Sequence, residues 1–238
     1  LSVENLHFSH GRSPILRGVS FALGRGEVLG LLGPNGAGKT TCIRLLAGLL
    51  QASEGLILFD GSDIRRWNTV RRVKAGLAWL PQEAAVFNRL DVCGNLKIFC
   101  EEYGMSHTES EAAIAQACAR FGLEALLGRR AELLSGGERR RLELARAMLT
   151  KPRCLLLDEP FTAIDPLAVE ILQKHIAALA ESGVSILICD HNVRETLRIC
   201  RRAVIIESGG VMAAGTPAEL ASDEKARRFY LGENFRLD

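Results

Sequence analysis

The chain has 238 residues, 47% of them hydrophobic and 24% charged. That balance excludes a disordered chain and suits one large domain or two small ones. Thirty basic residues against 28 acidic ones leave a formal net charge of +2, which gives no electrostatic case for a dedicated nucleic-acid binder. The seven cysteines are odd in number, contain no CxxC pair and sit mostly in apolar stretches. Neither a disulfide framework nor a zinc cluster is expected, and a reducing, cytosolic compartment is. The sequence opens on Leu1 rather than Met, and no signal peptide is expected. No run of about 18 apolar residues occurs, so any membrane role is expected to come through a partner chain.

In chain order, apolar strand-like runs alternate with helix-like runs, which predicts an α/β fold with a largely parallel sheet. Ser2–Leu32 reads as three strands. In it, Ile15–Leu23 alternates like a half-exposed antiparallel strand, and Val28–Leu32 is continuously apolar like a central one. Lys39–Leu49 is predicted helical. Leu56–Phe59 reads as a strand running into an Asp60-Gly61 turn, and Gly76–Leu80 as a strand closed by Pro81. From about 82 to 153 the pattern turns helical, with periodic runs at Val92–Tyr103, Glu109–Phe121 and Glu138–Thr150. This stretch reads as a helical insertion in the α/β core. Strands return at Cys154–Leu157, Ser185–Cys189 and Ala203–Ile206. Asp165-Pro166 opens a long helix, Gly209-Gly210 marks a hairpin, and Thr216 with Glu219 has capping-box spacing.

Gly33-Pro34-Asn35-Gly36-Ala37-Gly38-Lys39-Thr40, followed by Thr41, fits the pattern GxxxxGK[ST] between a buried strand and a helix. The glycines let backbone N–H groups turn toward phosphate oxygens, and the helix N-terminus adds a favourable partial charge. Lys39 supplies a point charge for the β- and γ-phosphates, and the Thr40 hydroxyl is a candidate ligand of Mg²⁺. The motif predicts a nucleoside triphosphate. Cys154-Leu155-Leu156-Leu157-Asp158-Glu159 is an apolar strand ending in two carboxylates, where such folds bind ligands. Asp158 is placed to hold Mg²⁺, and Glu159 to act as base or water-orienting group in catalysis.

Leu134-Ser135-Gly136-Gly137-Glu138 precedes another predicted helix and offers a second anion-binding N-terminus. A single chain has no obvious use for two such sites, whereas a dimer could close both around one γ-phosphate. Here the chain resembles the ATP-binding-cassette (ABC) ATPases, whose signature usually reads LSGGQ, with Glu138 in place of Gln. The resemblance implies a P-loop NTPase, RecA-like core with an antiparallel β subdomain and an inserted α-helical subdomain. It implies one cassette over 1–238, with core segments 1–81 and 154–238 and a helical part 82–153. ATP and Mg²⁺ follow as expected cofactors and a homodimer as the expected assembly. By the same resemblance, Gln82 reaches Mg²⁺ and links to a membrane subunit, and the Asp165 loop crosses the dimer interface. His191 matches the histidine that contacts the γ-phosphate, and His10, with Phe8 as the alternative, matches the aromatic position that stacks on adenine.

The stretches Leu80–Phe87, Ser135–Arg141, Asp190–Leu197 and the tail Tyr230–Leu237 resemble the ATPases of bacterial lipopolysaccharide-export systems over nearly the full length. That resemblance implies a pair of permease subunits as partners, and attachment to the cytoplasmic face of the inner membrane through them. Thr162-Ala163-Ile164 replaces a more usual Ala-Gly-Val, and Cys93-Gly94 replaces larger residues. Phe87 and Leu90 are candidate anchors for the membrane partner or, equally, core of the helical part. Arg139–Arg141 reads as a solvated, partly salt-bridged helix face rather than a nucleic-acid contact. An importer ATPase and a soluble cassette ATPase share the nucleotide motifs. The tail and the His191–Thr196 stretch count against the first, and the short insertion against the second.

Overall fold

The computed structural model describes residues 1–83 and 85–237. Ala84, inside the Leu80–Phe87 stretch, lies outside them. Two sheets form the frame. The first is antiparallel, in the order β2–β1–β4–β5, from β1 (Ser2–His10), β2 (Ser13–Ala22), β4 (Glu54–Phe59) and the short β5 (Ser62–Asp63). The second has the order β10–β9–β3–β8–β7–β6. It is built from β3 (Val28–Leu32), β6 (Leu77–Leu80), β7 (Cys154–Asp158), β8 (Ser185–Cys189), β9 (Arg202–Glu207) and β10 (Gly210–Gly215). Its strands β9, β3, β8, β7 and β6 run parallel, and β10 folds back antiparallel on β9. Every residue of β3, β7 and β8 is buried, as continuous apolar runs covered on both faces require.

Helix α1 (Lys39–Ala47) follows β3 and ends at Gly48, whose φ of 81° is a left-handed cap. Between β6 and β7 the regular elements are α3 (Val92–Glu102), α4 (His107–Phe121) and α5 (Gly136–Leu149), with two short 3₁₀ turns. The chain closes through α6 (Pro166–Glu181), α7 (Val193–Ile199) and α8 (Pro217–Ser222). Asp165 caps α6 with its side chain on the Ala168 N–H, and Thr216 and Glu219 form the expected capping box. Ser106 and Glu109 form another, which starts α4 two residues ahead of the predicted Glu109.

One apolar cluster joins the helices of the insertion to one face of the parallel sheet through Leu96, Phe121, Leu142, Leu157 and Ile176. A second fills the space between the two sheets and α1, around Leu6, Leu29, Ile43 and Ile57. All seven cysteines are free thiols; six are buried and Cys93 is half-buried. No helix among the described residues is long and apolar enough to cross a membrane.

The sequence reading misses α2 (Thr69–Lys74) and the residue that fixes it. Arg72 is 1% exposed. Its guanidinium donates to Leu45 O and Leu46 O at 2.6 Å each and to Ile64 O at 2.7 Å. It thereby caps the carbonyl end of α1. The solvated arginine face expected at 139–141 is also corrected. Arg140 is buried, and Arg141 donates to Phe121 O and Gly122 O at the end of α4. These cations satisfy backbone carbonyls because α5 is tucked beneath neighbouring chain rather than lying on the surface.

Candidate nucleotide site

The loop between β3 and α1 is glycine-dependent for two reasons. Gly33, Gly36 and Gly38 have φ of 146°, 80° and 104°, which disfavour any side chain. A Cβ on Gly38 would also lie 2.5 Å from Leu16 Cδ2, and one on Gly33 would lie 2.1 Å from Ile206 O. Pro34, Asn35 and Gly36 are exposed, Ala37 is buried, and Thr40 and Thr41 are half-buried at the first turn of α1. Lys39 is buried, and its Nζ donates to Gly33 O at 2.6 Å and Pro34 O at 3.0 Å. The ammonium is therefore held inside the concavity where phosphate oxygens would lie. The β1–β2 hairpin borders this loop, since Leu16 pairs with Phe8. Phe8 packs into the second apolar cluster, whereas His10 at the hairpin end is exposed.

The carboxylates sit at the end of β7, beside the end of β8, where Asp158 pairs with Cys189. Asp158 is 4% exposed, and its Oδ1 is buried without a hydrogen-bond donor. Burial first, and the neighbouring Glu159 second, push its carboxyl up to about 6. A buried acceptor with no donor fits a divalent cation, which would supply the missing partner and favour the ionised form. The Thr40 hydroxyl and the Gln82 carbonyl are the oxygen donors expected to accompany it.

Glu159 carries the densest set of contacts. Its φ of 48° is a left-handed conformation that costs on the order of 1–3 kcal/mol for a side-chain-bearing residue. Its N–H donates to Cys189 O at 2.6 Å. Three side chains meet its Oε2: Gln82 Nε2 at 2.9 Å, Thr162 Oγ1 at 3.1 Å and His191 Nδ1 at 3.3 Å. The loop holding His191 is fixed by Asp190, which is fully buried and accepts from Phe161 N at 3.0 Å and Asn192 N at 2.8 Å. Burial pushes the Asp190 carboxyl above its usual range. Thus Gln82, Asp158 with Glu159, and His191, from three separated stretches, converge at one edge of the sheet.

Ser135–Gly137 is not drawn into this cluster, and no hydrogen bond among the described residues joins it to the phosphate-binding loop. Ser135 is exposed and caps α5, its Oγ accepting from Glu138 N while Glu138 Oε2 accepts from Ser135 N at 2.7 Å. The glycines have a packing role as well. A Cβ on Gly136 would lie 2.9 Å from Ile164 Cγ2, and one on Gly137 would lie 2.5 Å from Ala168 Cβ. Phe87 and Leu90 are 45% and 36% exposed, so the core alternative for them does not hold. Sequence reasoning missed two contributors. Thr162 was visible only as a departure from pattern, and Arg140 was hidden in a charge run.

The ABC transporter family model matches residues 16–162. Over 238 residues the chain is 42% identical to the lipopolysaccharide export system ATP-binding protein LptB of Escherichia coli K12, spanning all of this chain and 99% of that protein. The corresponding protein of Haemophilus influenzae is 41% identical with the same coverage. Among solved structures, the ADP conformation of an ATP-binding cassette of an ABC transporter matches with a TM-score of 0.87 at 27% identity, over 97% of this chain and 98% of that one. CbiO1 of Clostridium perfringens, part of the ABC transporter complex cbiONQ, matches with a TM-score of 0.86 at 26% identity, over 95% of this chain and 92% of that one. The chain belongs to the ABC transporter family, as one of its ATP-binding, ATP-hydrolysing subunits.

Proposed function

We propose that this subunit drives extraction of lipopolysaccharide from the inner membrane toward the outer membrane. The supporting observation is 41–42% identity to lipopolysaccharide-export ATPases along the whole of this chain. Two copies enclose two ATP molecules. Lys39 and the N–H groups of 33–41 bind phosphates from one copy, and Ser135, Gly136 and Gly137 close from the other. Glu159 orients the attacking water, and His191 holds the γ-phosphate. His10 stacks on adenine. Thr40, Gln82 and Asp158 hold Mg²⁺, which supplies charge neutralisation on the phosphates when bound.

The helical part, 82–153, moves against the core 1–81 and 154–238 as the dimer closes. Its groove, lined by Trp79, Pro81, Phe99, Tyr103, Arg146 and Ala147, receives the membrane subunits, with Phe87 beside Arg146 and the exposed Leu90 as anchors. Those subunits hold the ATPase at the cytoplasmic face of the inner membrane.

The test is reconstitution of the chain with lipopolysaccharide-export permease subunits in liposomes loaded with lipopolysaccharide. ATP-dependent release of lipopolysaccharide is expected. Failure to assemble with those subunits, together with assembly and stimulation by the membrane subunits of an amino-acid importer, would overturn the reading.

A further inference from the structure

Arg140 lies on α5, one turn beyond the Ser135 cap, and is buried. Its Nη1 donates to Pro81 O at 2.9 Å and Glu143 Oε2 at 2.8 Å. Its Nη2 donates to Gln82 O at 2.8 Å and Glu159 O at 3.3 Å. One planar fork therefore spans the backbone of the glutamine and the backbone of the carboxylate whose side chains meet. Glu143 accepts from Ala85 N at 2.7 Å, and Arg146 donates to Ala85 O, so the same face of α5 grips the segment after β6. From the opposite side, Thr162 Oγ1 donates to Glu159 Oε2.

We infer that Arg140 and Thr162 are positioning residues for Glu159, Arg140 holding its backbone and Thr162 its carboxylate. The left-handed backbone of Glu159 needs an external hold to persist, and the Arg140 fork provides one on its carbonyl. Thr162 limits the carboxylate to one rotational setting, shared with Gln82 and His191. Arg140 is suited to this because an ammonium is a point charge and cannot span two pairs of acceptors. The inference rests on Glu159 as the water-orienting group.

The test is steady-state ATP hydrolysis and nucleotide affinity of the full chain carrying R140K, T162A, T162S or E159Q. R140K keeps a cation opposite Glu143 and should lower kcat about tenfold while KM stays within about twofold, as misplacement of a reacting group does. T162A should lower kcat about fivefold, the value of one ordinary hydrogen bond, and T162S should restore it. Thr162 lies in a half-buried loop, so T162A and T162S carry the test even where R140K does not fold. Parental kcat in T162A, failure of T162S to restore it, or losses in kcat matched by equal losses in affinity would overturn the inference. Parental hydrolysis by E159Q would instead show that the role of Glu159 itself is wrong.

Discussion

Gln82 Nε2 donates to Glu159 Oε2 at 2.9 Å across a separation of 77 residues. The contact exists because β6 and β7 are parallel neighbours, with Leu80 paired to Leu157, so both strand ends open at the same sheet edge. Gln82 leaves β6 into the segment held by α5, and Glu159 leaves β7 into the loop toward α6. Displacing residues 82–87 therefore changes the hydrogen bonding of the carboxylate directly. Under the proposed function, this contact is the route by which a membrane partner would act on hydrolysis.

The outer end of that segment carries Phe87, 45% exposed, with the Arg146 guanidinium 5.4 Å from its ring centroid. Replacing Phe87 with Ala is expected to weaken capture by the membrane subunits about tenfold, as loss of an aromatic anchor does. Nucleotide affinity should be unchanged. Pull-down from detergent-solubilised membranes, beside ATP titration, checks both halves.

Lys39 is already folded into the phosphate-binding concavity by Gly33 O and Pro34 O. Lys39→Ala should cost about 2–3 kcal/mol of ATP binding, or roughly 30- to 150-fold in affinity, for loss of charge-assisted hydrogen bonds. Melting temperatures with and without ATP measure this: the parent should be stabilised by nucleotide and the variant should not at the same concentration.

Arg72 serves stability alone. Burial lowers its guanidinium to about 10, and it neutralises the carbonyl end of α1 through hydrogen bonds to Leu45 O and Leu46 O. Arg72→Met should cost about 3 kcal/mol, lowering the melting temperature by roughly 6–12 °C. Denaturant unfolding of the full chain checks it.

Glu27 ties the start of β3 to β9 through Arg202, with Nε to Oε1 at 2.8 Å. Burial raises the Glu27 carboxyl, but the Arg202 guanidinium and the Gly24 N–H outweigh it and hold it below the usual range. A lowered carboxyl stabilises the fold above its unfolded pKa and loses that contribution as pH falls through the folded value. Glu27→Gln should therefore destabilise the chain at neutral pH and flatten the loss of stability on acidification below about pH 4.3. Thermal melts from neutral to acid pH test the sign.

What the sequence disclosed follows from how local each signal is. The phosphate-binding loop was legible because strand, glycines, Lys39 and helix are contiguous. Asp158 and Glu159 were legible as strand-end carboxylates, and His191 only through the family resemblance. Helices α2 and α7, of six and seven residues, are too short for a periodic pattern to stand out. The arginine run 139–141 was misread because charge pattern does not reveal that the Pro81–Ala85 segment lies across α5 and offers carbonyls to it. Thr162 stood out only as a departure from pattern and its role could not be read, since its hydroxyl matters only once the left-handed turn at Glu159 brings the carboxylate back over it. The glycines of 136–137 were read for anion binding, while their close approach to Ile164 and Ala168 is a tertiary fact.

The central claim is that Glu159 acts on an ATP enclosed between two copies. The most direct measurement is size-exclusion mass analysis of Glu159→Gln with ATP, run beside its hydrolysis rate. The account predicts an ATP-dependent dimer and a loss of hydrolysis of about a hundredfold or more. Hydrolysis at the parental rate, or a variant that binds ATP yet stays monomeric, would contradict it.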